Sequence, residues 1–211
     1  TKQYSGISVE SFHKRYFENI EGYNELLLSA SFYERFLETN YILIYQLDAF
    51  VFKDELLKWC DKEYDYIGAP WIAGPKNTIS SKYFNMIARN FRSKRKNERE
   101  ETFFKVGNGG LSLRKTESHY LIAKQNSAVI SKFLNADVKQ IYAIEDVFWS
   151  LQAPKLYANF KIPDYKEAVY FAIDRKPKIA LALCNDQLPF GCHGINKPKV
   201  IEFWKPILNQ Y

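Results

Sequence analysis

Residues 41–47 read YILIYQL, an almost continuously apolar run rich in β-branched and aromatic side chains, and the run ends on Asp48. No other stretch limits the fold so tightly. A strand that is apolar on both faces must be covered on both faces, which is the situation of a central parallel strand in an α/β protein. In open α/β sheets ligands collect beyond the carboxyl ends of the strands. A carboxylate emerging at that end is therefore the first candidate for chemistry, and Asp48 is that residue.

The flanking patterns agree with an α/β class. Tyr23, Leu26, Leu27, Ala30, Tyr33, Phe36 and Leu37 recur at spacings of three and four, which predicts one amphipathic helix over 23–37. A short helix is expected at 54–60, a strand at 64–70 running into a Gly-Ala-Pro turn with Trp71 beyond it, helices at 116–124, 127–135 and 144–152, and a strand at 168–173. Residues 188–197 read as an irregular loop presenting His193, and the final helix is expected to last until Pro206. Between them, residues 103–114 carry Gly107, Asn108, Gly109 and Gly110 ahead of the alternating Leu111 and Leu113. With no internal repeat and no linker, a single domain over 1–211 is expected, carrying a polar, basic surface insertion at about 76–101.

Composition narrows the partners. Thirty Lys and Arg against twenty-four Asp and Glu give a net charge of +6, which favours an anionic ligand. The basic run from Ser93 to Lys96 lies next to Glu98, Glu100 and Glu101, a mixed solvated face without a nucleic-acid motif, so no nucleic acid is expected as partner. Within the insertion, over 82–99, Phe84, Ile87 and Phe91 share a helical face beside cations, so an acceptor-side flap or peripheral contact with anionic lipid is a further expectation. Sixteen Phe, fifteen Tyr and four Trp exceed what a core of this size needs, which suggests rings lining a groove for a flat ligand. Three cysteines without CxxC spacing fit a reducing compartment. No apolar run reaches the roughly 18 to 20 residues of a membrane span, and the first residues lack a signal-peptide core, so a cytoplasmic location is expected.

Four features stand apart: Gln46-Leu47-Asp48 at a strand end, the glycine turn at 107–110, the pair Glu145-Asp146, and His193 between glycines. Each has a structural alternative. Asp48 could cap a turn, the glycines could build a hairpin, the acids could be first-turn charges complementing a helix dipole, and His193 could be a hydrogen-bonded loop residue. Together they fit one chemistry. A strand-end carboxylate and an imidazole from a distant loop can hold a divalent cation against a diphosphate. A second carboxylate can take the proton of an attacking hydroxyl, and glycines allow close backbone approach to sugar or phosphate oxygens.

The ordered set QLDAF, YIGAPW, VGNGGLSLRK, IEDVFWS and LPFGCHG resembles a bacterial and eukaryotic family of GT-A-type glycosyltransferases formerly known only as a domain of unknown function. The resemblance spans about residues 20–205. It implies a GT-A-like (Rossmann-like), mixed but mostly parallel sheet flanked by helices, and transfer of a sugar from a nucleotide-diphosphate donor, UDP-linked, to a polysaccharide or glycolipid precursor. It implies Mn²⁺ or Mg²⁺ as cofactor, with Asp48 in the place of the last Asp of the DxD motif and His193 as the C-terminal metal ligand. Asp146, with Glu145 as alternate, falls where inverting GT-A enzymes such as the β-1,4-galactosyltransferases carry their general base. Trp71, Asn108, Gly109 and Gly110 would border sugar and acceptor. Gln46 replaces the first acid of DxD and is assigned to donor or ribose contact. Asp48 also comes early for such a domain, so the chain is expected to lack part of the amino-terminal nucleotide-binding βαβ segment. The competing expectation is a catalytically inactive domain of this kind that binds glycans or a protein.

Overall fold

The computed structural model describes residues 6–73, 101–135 and 144–211. Helix α1 (Ile20–Leu27) starts at Asn19, whose Oδ1 accepts from the Gly22 N–H at 2.8 Å. Helix α2 (Ala30–Glu34) starts at Ser29, whose Oγ accepts from Phe32 N–H and donates to the Leu26 carbonyl. Strands β1 (Tyr41–Tyr45) and β2 (Ala49–Val51), helix α3 (Leu56–Cys60) and strand β3 (Tyr66–Gly68) follow. The glycine turn leads into β4 (Leu111–Lys115), then helices α4 (Thr116–Gln125) and α5 (Ser127–Leu134). A three-residue α6 (Glu145–Val147) continues through a π-helical stretch, Phe148–Gln152, into α7 (Ala153–Leu156). Helix α8 (Tyr165–Phe171), strand β5 (Ala172–Ile173), helix α9 (Pro177–Leu183), strand β6 (Gly191–His193) and helix α10 (Pro198–Leu208) complete the described elements.

The strands form two small three-stranded sheets, ordered β1-β4-β3 and β2-β6-β5. Antiparallel pairing joins β1 to β4, β3 to β4 and β2 to β6; β5 and β6 alone run parallel. Two apolar clusters follow the two sheets. The larger one gathers Leu27, Tyr33, Tyr66, Ile67, Leu111, Phe148 and Trp149 between the first sheet and α1, α2, α4 and the 145–156 segment. The smaller one packs Val169, Ile173, Ala180, Cys192, Val200 and Trp204 around the second sheet.

Several expectations need correction. The protein is mixed α/β, but the described sheets are mostly antiparallel, and no Rossmann-like parallel sheet is present among the described residues. The apolar run at 41–47 is not a central parallel strand: Tyr41–Tyr45 lies at the end of the first sheet, and its side chains are half-buried or exposed. Apolarity demands cover, but aromatic residues on a sheet edge can obtain it from helices and loops on one side. The helix expected over 23–37 is two helices, because Ser29 closes one backbone ladder and opens the next. Residues 168–173 are helical as far as Phe171, since Asp164 accepts from the backbone N–H of Lys166 and Glu167 and so starts α8. The 188–197 loop contains strand β6, and α10 continues past Pro206 to Leu208. The aromatic surplus goes largely inward, with Tyr33, Tyr66, Trp149 and Phe160 surrounding the buried His119.

The basic insertion expected at about 76–101, with its lipid-facing helix, lies outside the described residues except for Glu101. Cys60, Cys184 and Cys192 are free thiols. Among the described residues no helix is long and apolar enough to cross a membrane.

Candidate functional site

A reverse turn and one strand pairing bring Asp48 to His193. Ala49 N–H donates to the Gln46 carbonyl at 2.9 Å, which folds residues 46–49 into a turn with Leu47 exposed at its tip. Strand β2 begins at Ala49, and Ala49 is the register partner of His193 in β6. Asp48 is thus delivered beside the imidazole: its Oδ1 lies 3.0 Å from His193 Nε2. Gln46 Oε1 lies 3.1 Å from the same nitrogen, and its amide orientation is set by Gln46 Nε2 donating to the Tyr23 hydroxyl at 3.0 Å. His193 is buried, while Asp48 leaves 20% of its side chain exposed, so the cluster opens to solvent on the aspartate side.

The opposite ring nitrogen faces a second carboxylate. Asp174 follows β5 directly, and the parallel pairing of Ile173 with Cys192 sets it alongside His193. Its Oδ1 is 3.4 Å from His193 Nδ1 and 2.8 Å from Lys197 Nζ. Burial by itself raises the Asp174 carboxyl. The contacts from His193 and Lys197 outweigh burial and hold the carboxyl below its ordinary value.

The glycine turn joins this cluster to the acid pair. Asn108 takes a left-handed conformation with φ of 61°, and its Oδ1 accepts from Gly110 N–H at 3.3 Å. A Cβ at Gly110 would overlap the His193 ring, and one at Gly109 would overlap the Glu145 carboxylate. Consecutive Cα atoms are about 3.8 Å apart, so the imidazole and the acids meet across neighbouring residues, within about a nanometre. Trp71 packs its ring over Gly107, at the entrance to the same turn.

Glu145 and Asp146 share the first turn of α6 but not an environment. Glu145 is buried against Arg114, whose Nη2 lies 3.1 Å from Oε1 and 3.0 Å from Oε2. Arg114 is itself fully buried, donating from Nη1 to the Tyr33 hydroxyl and from Nε to Ser112 Oγ. The Glu145 N–H donates to Asn24 Oδ1. Asp146 has less. Its Oδ2 accepts from Gly109 N–H at 3.4 Å, and its Oδ1 is buried without a hydrogen-bond partner. Burial first, then the neighbouring Glu145 charge, push the Asp146 carboxyl up to about 7.

The donor set suits a hard divalent cation. Oxygen or nitrogen donors on adjacent corners of a Mg²⁺ octahedron sit about 3 Å apart, and Asp48 Oδ1 and Gln46 Oε1 lie 3.0 and 3.1 Å from His193 Nε2. Asp174 stands on the far side of the ring, and among the described residues no group of three His, Cys, Asp or Glu side chains is arranged to hold a metal ion. Substrate oxygens and water would have to complete the shell. A cavity of about 990 Å³ lies between α1, α2, α4 and α5 and is bounded by Asn24 and Ile144, beside the acid pair; Asp48 and His193 do not line it.

Sequence reasoning missed Asp174, Tyr23 and Arg114. Asp174 repeats the signal of Asp48, an acid directly after an apolar run, but 168–173 had been assigned wholly to strand. Tyr23 was read only as part of an apolar stripe. Arg114 is a charge inside an otherwise buried strand, and only its three partners explain its burial.

A mixed α/β protein with an Asp-His cluster beside an acid pair, Glu145 buried and Asp146 half-buried, is the class that fold and site define. The family model described as Protein of unknown function (DUF5672) matches residues 6–193, and the chain belongs to this family. This corrects the resemblance drawn from the motifs: the family shown is one of unknown function, and no glycosyltransferase family is shown. No curated protein and no solved structure matches the chain.

Proposed function

We propose that this site transfers a sugar from a nucleotide-diphosphate donor, UDP-linked, to a hydroxyl of a polysaccharide or glycolipid precursor. The observation that carries the reading is the meeting of Asp48, Gln46 and His193 around one point, one glycine away from an acid that titrates near neutrality. Asp48 and His193 would hold Mn²⁺ or Mg²⁺, with Gln46 Oε1 beside them. The cation, when bound, supplies neutralisation of charge on the departing diphosphate.

Asp146 is assigned as the base because its Oδ1 has no partner and because half of it is ionised near pH 7. The acceptor oxygen bonds to the anomeric carbon, the bond from that carbon to the diphosphate oxygen breaks with its electron pair, and the acceptor proton passes to Asp146. Glu145 serves instead as the counter-ion of Arg114 and keeps a negative charge beside Asp146. Trp71 packs against the glycine turn and Asn108 lies within it; both are assigned to sugar contact. A location at the cytoplasmic face of a membrane belongs to the same proposal.

Titration calorimetry with UDP and Mn²⁺ tests the reading. Heat is expected with the native chain and is expected to vanish in Asp48→Ala and His193→Ala while both variants stay folded. No heat at millimolar ligand would overturn the enzyme and favour an inactive glycan- or protein-binding domain.

A further inference from the structure

We propose that Asp174 is a positioning residue that makes His193 a metal ligand by keeping a proton on Nδ1. The inference rests on the cation reading of the site. An imidazole can give a lone pair to a cation through Nε2 only when its remaining proton sits on Nδ1, and ring orientation and tautomer are set by whatever accepts from Nδ1. In this chain the carboxylate that faces Nδ1 is Asp174 Oδ1, at an ion-pair distance of 3.4 Å on a buried side chain, and Nδ1 has no hydrogen-bond partner that would hold its proton instead. The placement is built into the backbone, because the parallel β5·β6 pairing puts the residue after Ile173 next to the residue after Cys192.

The need for such a device is visible on the other side of the ring. Asp48 and Gln46 both present acceptor oxygens to Nε2 and would draw the proton there, closing the lone pair to a cation. A carboxylate on Nδ1 opposes that pull. Lys197, 2.8 Å from Asp174 Oδ1, pairs with this carboxylate, and an ionised Asp is purely an acceptor. An Asn at position 174 could instead turn its amide N–H toward Nδ1, moving the proton to Nε2 and facing the cation with an N–H.

Two measurements at pH 8 test this. Electron paramagnetic resonance titration with Mn²⁺ is expected to give a 10- to 100-fold weaker affinity (a rough range) for Asp174→Asn. Asp174→Glu, which keeps a carboxylate, is expected to recover most of it. Lys197→Met, which breaks the same ion pair but leaves the acceptor, is expected to change affinity by about threefold or less, roughly 0.7 kcal/mol by the tenfold-per-1.4 kcal/mol relation. Equal affinity in Asp174→Asn and the native chain overturns the inference, as does an equal loss in Lys197→Met. Long-range ¹⁵N NMR of the metal-free native protein, which has three histidines in all, reads the proton directly and needs no variant to fold. Protonated Nδ1 on His193 supports the inference; a bare Nδ1 overturns it. If the native chain takes up no Mn²⁺ yet carries a proton on Nδ1, the cation reading falls and with it the role toward a metal, while the hold of Asp174 on the tautomer stands.

Discussion

The two sides of the Gly109-Gly110 pair are built from the same kinds of side chain and end in opposite states. At Gly109 the Glu145 carboxylate meets one guanidinium, and that guanidinium also donates to Tyr33 and Ser112. The charges are matched, and the group is sealed. At Gly110 a single imidazole faces Asp48, Gln46 and Asp174, all acceptors, with Lys197 on the most distant of them. Acceptors are in excess and one side is open to water. Matched buried charge gives rigidity, whereas an excess of acceptors at an open edge is what a cation or a proton donor can satisfy.

The largest effect should come from breaking the sealed side. Glu145→Ala leaves the Arg114 charge buried without its carboxylate and is expected to cost about 3–5 kcal/mol of stability in urea denaturation. His193→Ala on the other side should cost no more than about half as much. Equal losses would break the comparison, because the open cluster would then be as structural as the sealed one.

Asp146 sharpens the contrast at an intermediate scale. Loss of a general base slows transfer by about 10² to 10⁴-fold, and Asp146→Asn is expected to fall in that range. In the native chain the rate should rise with pH to a half-maximum near 7, because the base works only when ionised and its carboxyl is pushed up to about 7. Stability should move the other way. The folded state binds the Asp146 proton more tightly than the unfolded chain, so this contribution is complete below the ordinary carboxylate range and declines as pH rises to about 7. Both trends should be absent in Asp146→Asn; a pH–rate profile that keeps its inflection near 7 in that variant would remove Asp146 from the mechanism.

The smallest effect belongs to a cap away from the site. Asp164→Ala removes the two side-chain hydrogen bonds that start α8 and is expected to cost about 1 kcal/mol by thermal unfolding. Mn²⁺ affinity should not change. A larger fall in affinity would mean that α8 and β5 position Asp174 more directly than the strand register implies.

Much of the element order was legible because local patterns are enough for it. The helices at 116–125 and 127–134, the short helix after Glu55 and the first-turn placement of Glu145 and Asp146 follow from spacing alone. The convergence of Asp48 and His193 was expected from their chemistry, and the β2·β6 register accounts for it. Strand direction was not legible. YILIYQL is equally apolar whether its neighbour runs parallel or antiparallel, and β4 is 66 residues further along at its first residue, Leu111, paired with Tyr45. Nor could sequence distinguish Glu145 from Asp146, since the distinction rests on Arg114 reaching one carboxylate and not the other.

By itself the amino-acid sequence determined which residues could carry charge, a lone pair or a tight turn, and where apolar spacing forces helices, since these depend on side-chain chemistry and on neighbours three or four positions away. Tertiary structure decided which of those groups touch. It made Glu145 a scaffold and left Asp146 titratable, it set Asp174 behind His193, and it turned the glycines toward side chains. The reason is distance along the chain: contacts between residues 19 or more positions apart, as between Asp174 and His193, are fixed by strand register and core packing, and no local pattern encodes them.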